Sequence, residues 1–317
     1  MISRLGLFLT VGVLMGSAAQ AASVRVGTPQ LLDADTSAWC VVPATFQSAG
    51  VSKRVFYLSV SSGIAVKPEG QPSRLLYYRA AIKGGEQKGA GVFLATTYGL
   101  MYSPDSSQIR YLSSARFTMV TPYGWVKDGD GLWNVTQDGL FNRSTLPIAP
   151  WRNIIGIAPS TNYLYGPNLL WVGTATNYNY YQKGLYQAVW VNGISYPTLG
   201  IPDFQRVTGL CGVTGGYLMV YNGSILYHQD AADPYALLYT DTGVPADNYT
   251  LQSLRYSATD VDAVAYVGRT LWYNLASGTP NSLVMPGTIR YVAIDSSSRQ
   301  LLICTSVGTY AVPFSLN

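Results

Sequence analysis

Phe56-Tyr57-Leu58-Ser59-Val60, two serines, then Gly63-Ile64-Ala65-Val66: an apolar strand, a tight glycine turn and a second apolar strand. The phrase returns at Val92-Phe93-Leu94-Ala95-Thr96 with Gly99-Leu100-Met101-Tyr102. It returns again at Leu132-Trp133-Asn134-Val135-Thr136 with Gly139-Leu140-Phe141, and at Leu170-Trp171-Val172-Gly173-Thr174 with Gly184-Leu185-Tyr186. Looser copies surround Gly223, Gly268 and Gly308. Successive turn glycines stand 36, 40, 45, 39, 45 and 40 residues apart. A period of roughly 40 residues, each unit holding several short strands, is the signature of small sheets set around an axis. The reading is all-β: a seven-bladed β-propeller.

Within a unit the layout is strand, turn, strand, turn. In the fourth, Asn153 to Ala158 is expected as the inner strand, Leu169 to Thr174 as the next and Gly184 to Trp190 as the third. The middle strand alternates apolar and small residues with period two, as a strand buried between stacked sheets should. The sixth unit repeats this with Ala263 to Val267, Gly268 and Thr270 to Tyr273. The last unit runs through Ile289–Ile294, Leu301–Thr305 and Thr309–Val312 and lacks an outer strand. Ser23-Val24-Arg25-Val26-Gly27 is a strand without a unit of its own. Pairing it beside the last unit closes the ring and protects two edges that would otherwise invite aggregation.

Residues 1–21 read as a secretory signal peptide: Arg4, a short apolar run from Leu5 to Gly16, and small residues Ala19 and Ala21 before the cut. The run is too short to span a bilayer, which takes about 20 residues, so it is not an anchor. Residues 22–317 form one domain, and no second stretch of spanning length follows. Cleavage takes the formal charge from +4 to +3, and no Lys/Arg cluster is present to grip phosphates, which argues against nucleic acid. Aromatic content of 13% against 11% charged residues marks a strand-rich chain with a sparsely charged surface.

The fourth unit, read with the weaker echoes at Phe93–Tyr102 and Leu132–Phe141, resembles the repeat of the two-component-regulator propeller family, whose units read Leu-Trp-Val-Gly-Thr followed by Gly-Leu-Tyr. The likeness runs from about residue 54 onwards. In that family the propeller is an extracytoplasmic sensing module joined to a membrane helix and kinase domains. Neither is seen in this sequence, so the resemblance implies a stand-alone secreted propeller.

Concentrated chemistry is sparse. His228 is the single histidine, and a metal or catalytic role needs partners, so it is expected exposed at a sheet rim. No Gly-x-Ser-x-Gly elbow occurs. Asp33-Ala34-Asp35, Asp128-Gly129-Asp130 and Asp260-Val261-Asp262 are short of a calcium loop, and turn chemistry explains them better. Neither a metal, a cofactor nor a catalytic residue is assigned. Three cysteines remain after cleavage: either Cys40 and Cys304 bridge the first and last units, or all three are buried thiols.

The candidate binding surface is the uncharged aromatic stretch of the fourth unit. Tyr163 and Tyr165 precede its second strand, and Asn177, Tyr178, Asn179, Tyr180 and Tyr181 lengthen the following turn. Insertions in repeats fall on loops, and tyrosine beside asparagine offers stacking faces with amide donors and acceptors. The functional expectation is a secreted or periplasmic, non-catalytic binding or protein-interaction module at the bacterial envelope. A carbohydrate-binding, lectin-like propeller is one rival. A hydrolase or lyase using acids in the central channel is another, since paired carboxylates can converge in space without any sequence signal.

Overall fold

The computed structural model describes residues 22–48, 50–127, 131–136, 139–145, 154–160, 169–174, 184–189, 198–199, 207–221, 223–229, 239–245, 249–257, 259–277 and 279–317. The signal-peptide reading of residues 1–21 lies outside them. The described residues hold strands and turns and no helix, and so none long and apolar enough to cross a membrane.

The strands are grouped in seven antiparallel sheets. The first contains Cys40–Ser48, Val51–Val60, Gly63–Pro68 and Arg74–Tyr78. The second contains Ile82–Lys88, Gly91–Thr96, Gly99–Asp105 and Gln108–Ser113, and the third Phe117–Thr121, Gly124–Lys127, Gly131–Thr136 and Gly139–Thr145. The fourth is built from Ile154–Ser160, Leu169–Thr174, Gly184–Val189 and Thr198–Leu199, and the fifth from Val207–Val213, Gly216–Tyr221, Ser224–Gln229 and Tyr239–Pro245. Thr250–Arg255, Val261–Val267, Thr270–Tyr273 and Asn281–Val284 make the sixth. In the seventh, Ile289–Asp295, Gln300–Thr305 and Gly308–Leu316 are joined by Val24–Val26 and Gln30–Asp33, both pairing with Gly308–Leu316.

Most turn glycines open the third strand of their sheet, as the repeat requires. Gly139 does not: it opens the fourth strand of the third sheet. The third unit is therefore out of phase with the others. There a hairpin, Phe117–Thr121 with Gly124–Lys127, stands ahead of the Leu-Trp strand, where the first, second and fourth units have one strand. Gly63 and Gly308 show why the turn demands glycine. At Gly63, φ is +147° and a Cβ would collide with the carbonyl oxygen of Tyr77 on the outer strand. At Gly308, φ is +137° and a Cβ would lie 2.7 Å from the carbonyl oxygen of Asp33. Asp33 thus occupies, in the last sheet, the place Tyr77 occupies in the first. The N-terminal segment supplies the missing outer strand.

The core is divided into apolar slabs between consecutive sheets. Val41, Phe56 and Leu58 meet Ala293, Leu302 and Cys304 between the first and seventh sheets. Val42, Tyr57 and Val66 meet Ile82, Leu94 and Met101 between the first and second. Phe93 and Ala95 face Phe117 and Trp125 between second and third, with Phe117 and Trp125 edge to face at 5.2 Å. Burial on both faces explains why Val55–Val60 and Val261–Tyr266 are buried at every position rather than at alternate ones. Contact can be followed from the fourth sheet through the fifth, sixth, seventh, first and second to the third. The side chains between the third and fourth lie outside those described.

The N-terminal strand is also held from the sixth sheet. Asn274, buried and left-handed (φ +60°), accepts a hydrogen bond on Oδ1 from Val24 N at 2.7 Å. Its Nδ2 donates to Val24 O at 2.8 Å. Asparagine tolerates that backbone conformation and alanine does not. Asn274→Ala should cost about 2–3 kcal/mol and expose the chain near residues 24–33 to protease. Unchanged urea midpoint and cleavage pattern would show that strand pairing alone retains the segment.

Candidate functional site: the cavity between the leading strands

The first strands of the sheets converge. A cavity of about 320 Å³ is lined by those of the first, second, third, sixth and seventh sheets, mostly by their C-terminal halves. Side-chain amides and hydroxyls fasten these strands to one another. Gln87 Oε1 accepts from Thr45 N and Gln87 Nε2 donates to Thr45 O, each at 2.7 Å, joining second sheet to first. Gln252 Nε2 donates to Val292 O at 2.7 Å, joining sixth to seventh. Ser253 Oγ donates to Gly212 O at 2.7 Å, joining sixth to fifth. These bonds give partners to polar groups of the wall that would otherwise be desolvated without compensation.

Across the cavity, the leading strands of the third and sixth sheets touch directly. Arg255 Nη2 donates to Pro122 O at 2.6 Å. Tyr123, the next residue, is half-buried with Cys211, Arg255 and Asp262 within electrostatic range; desolvation above all raises its phenol pKa.

Two carboxylates line the cavity, and both are committed. Glu86 Oε1 is 2.6 Å from Lys88 Nζ. Asp295 Oδ2 accepts from Arg54 Nε at 2.6 Å, and its Oδ1 accepts from the Ser297 hydroxyl at 2.6 Å. Burial opposes ionisation of Asp295, but the Ser297 hydroxyl and the Arg54 guanidinium outweigh it and hold the carboxyl below its usual pKa. Arg54 also reaches Gln300 Oε1 at 2.6 Å and Glu69 Oε1 at 2.9 Å. A carboxylate held ionised in such a fork is poorly placed to donate a proton. The cavity wall offers hydrogen-bonding groups and charge to whatever enters it.

Asp262 sits outside the cavity. It is only 1% exposed; Oδ1 accepts from Ala263 N at 2.6 Å and Ala276 N at 3.0 Å. Oδ2 has no hydrogen-bond partner among the described residues, and burial raises the carboxyl pKa to about 7. Asp33 and Asp35 do turn work: Oδ1 of Asp33 accepts from Asp35 N, and Oδ1 of Asp35 from Ser37 N, both at 2.8 Å. Among the described residues no group of three His, Cys, Asp or Glu side chains is placed to hold a metal.

His228 was expected at an exposed rim and is instead 4% exposed. It lies directly across from Tyr217, ring centroids 4.7 Å apart, on the strand face turned inward. Cys40, Cys211 and Cys304 are free and buried, so the Cys40–Cys304 bridge is not formed. Cys40 instead shares a hydrogen bond with Tyr291, and Thr309 Oγ1 donates to Cys304 Sγ at 3.6 Å. Burial pushes the Cys304 thiol up to about 12 and the other two upward as well, which keeps all three unreactive at neutral pH. Tyr163, Tyr165, Asn177, Tyr178, Asn179, Tyr180 and Tyr181 lie outside the described residues. So does Asp128-Gly129-Asp130.

No protein-family model matches the sequence, and neither does any curated protein. Solved structures do match in fold. PorZ, a bacterial surface component of the type-IX secretion system of Porphyromonas gingivalis, superposes at TM-score 0.59 and 8% identity over 90% of this chain. The extracellular domain of BT4673 from B. thetaiotaomicron, a putative one-component system, superposes at TM-score 0.56 and 14% identity over 89% of this chain. The likeness is to bacterial propeller-like domains. This chain spans about two fifths of each, 38% of PorZ and 39% of the BT4673 domain. It covers 97% of BBS1N, solved in complex with ARL6DN, at TM-score 0.58 and 10% identity. At these identities the likeness shows the fold alone.

Proposed function

We propose that residues 1–21 direct export and that residues 22–317 form a single seven-bladed propeller, closed by the N-terminal strands in the last sheet. It acts as a non-catalytic binding module at the bacterial cell envelope. The carrying observation is the cavity at the convergence of five leading strands, joined by cross-sheet hydrogen bonds and lined by groups suited to recognition. Fold likeness to a bacterial surface component and to an extracellular domain supports the address. In this reading Tyr163, Tyr165 and the Asn177–Tyr181 run extend the contact surface beyond the cavity.

The test is crosslinking of the tagged protein in the native envelope, followed by binding of the purified partner in vitro. A stable partner whose affinity falls at least tenfold with Tyr178→Ala and Tyr180→Ala together supports an interaction module using that surface. Hits confined to a glycan array, lost with the same substitutions, replace it with the lectin reading. Failure of both removes the aromatic surface as a site.

A further inference from the structure

We infer that the cavity between the leading strands binds a small carboxylate-bearing molecule, received by the guanidinium of Arg255. The inference rests on the cavity being the protein's binding site and adds the chemistry of its ligand.

Charge accounting within the cavity leads there. Glu86 is neutralised by Lys88, and Asp295 by Arg54. Arg255 forms no ion pair with any described residue and is the uncompensated charge among the described lining residues. Its nitrogens are unequally used. Nη2 is taken by Pro122 O, which fixes the plane of the group across the cavity. Nε is sealed from solvent with no hydrogen-bond partner among the described residues, so the guanidinium keeps donor capacity beyond its bond to Pro122 O. A guanidinium already oriented by one backbone carbonyl loses little freedom on taking an oxyanion. Charge-assisted N–H to carboxylate bonds are about twice as strong as neutral ones, and more so where water is scarce.

The rest of the wall suits the body of such a molecule. Val120, Ile294 and Tyr291 give it apolar surface, and Ser296 is a polar residue of the same wall. A volume of about 320 Å³ admits one acidic sugar or one acylated amino acid and little more. Both carry the same recognised group, so the two sources are separable only by trial.

Calorimetric titration of the purified protein with glucuronate, with N-acetylalanine, and with glucose as the neutral counterpart decides the matter. At least one acid should bind tenfold or more tightly than glucose, with affinity falling as salt rises. Whichever acid binds identifies the source of the carboxylate. Arg255→Gln retains a donor for Pro122 O and should abolish the preference for the acid, leaving glucose unaffected; Arg255→Lys should restore part of it. Equal binding of acid and neutral sugar, or an acid preference that survives Arg255→Gln, overturns the inference and leaves the cavity as the site. Absence of binding by all three overturns the cavity itself. The acid-against-neutral comparison on the wild-type protein stands even where a variant does not fold.

Discussion

Replacing Arg54 with alanine should lower the free energy of unfolding by about 3–5 kcal/mol, the usual cost of stranding one member of a buried ion pair. Its side chain is 12% exposed and that of Asp295 6%, so solvent cannot take over the lost partner. Arg54 sits in the first sheet and Asp295 and Gln300 in the seventh, so the same change unfastens two sheets at their shared edge. The guanidinium also lies over the Phe56 ring at 4.7 Å, and that packing is lost as well. The urea midpoint measures the effect. Adding Asp295→Asn to the Arg54→Ala variant should recover a large part of the loss, because the stranded charge carries most of it. A loss below about 1 kcal/mol would place the pair with exposed salt bridges in its worth.

Asp262 should make the protein less stable as pH rises, opposite to the ordinary carboxylate. An unfolded chain gives up this proton near the usual aspartate value, whereas the folded chain keeps it to about 7. Between those values the folded state binds more protons than the unfolded one, so stability falls with rising pH across that window and levels off above it. The accumulated penalty by pH 8 is on the order of 4 kcal/mol. Asp262→Asn keeps an oxygen for Ala263 N and Ala276 N and removes the titration. Its stability relative to wild type should therefore climb from pH 4 to pH 7 and stay flat above. Parallel curves for the two proteins across that range would mean that Asp262 ionises freely in the folded state. Asp295 runs the other way: its depressed carboxyl lends stability above the unfolded value, and that is lost as pH falls through the folded one.

Much of the fold was legible because it is written locally and repeated. The glycine turns mark hairpins whose φ values no other residue adopts cheaply, and Leu169–Thr174 was bounded by its apolar run alone. The unpartnered Val24–Val26 segment and the incomplete last unit together implied their pairing. The third unit slipped because Leu132-Trp133 copies the repeat's wording while standing one strand later in its sheet. His228 was misread because a lone histidine carries no period; only the register opposite Tyr217 turns it inward. Arg54 with Asp295 and Arg255 with Pro122 join residues 241 and 133 apart, which no local pattern reveals. Asp262 looked like a turn residue beside Asp260, yet one oxygen caps Ala276 N on the following connection and the other is sealed in. That each repeat is a small sheet was foreseeable; the particular charges lining the cavity between them were not.

The seventh sheet joins Val24–Val26 and Gln30–Asp33 to strands that end at Leu316, and Asn317 N donates to Ser23 O at 3.0 Å. Synthesis runs from N- to C-terminus, so Val24–Val26 and Gln30–Asp33 wait, unpaired and prone to wrong matches, until Gly308–Leu316 has been made. Pairings this distant are slow to nucleate. Completion of the seventh sheet is thus a late event in the folding of each molecule, and the step at which a chaperone would have most to protect.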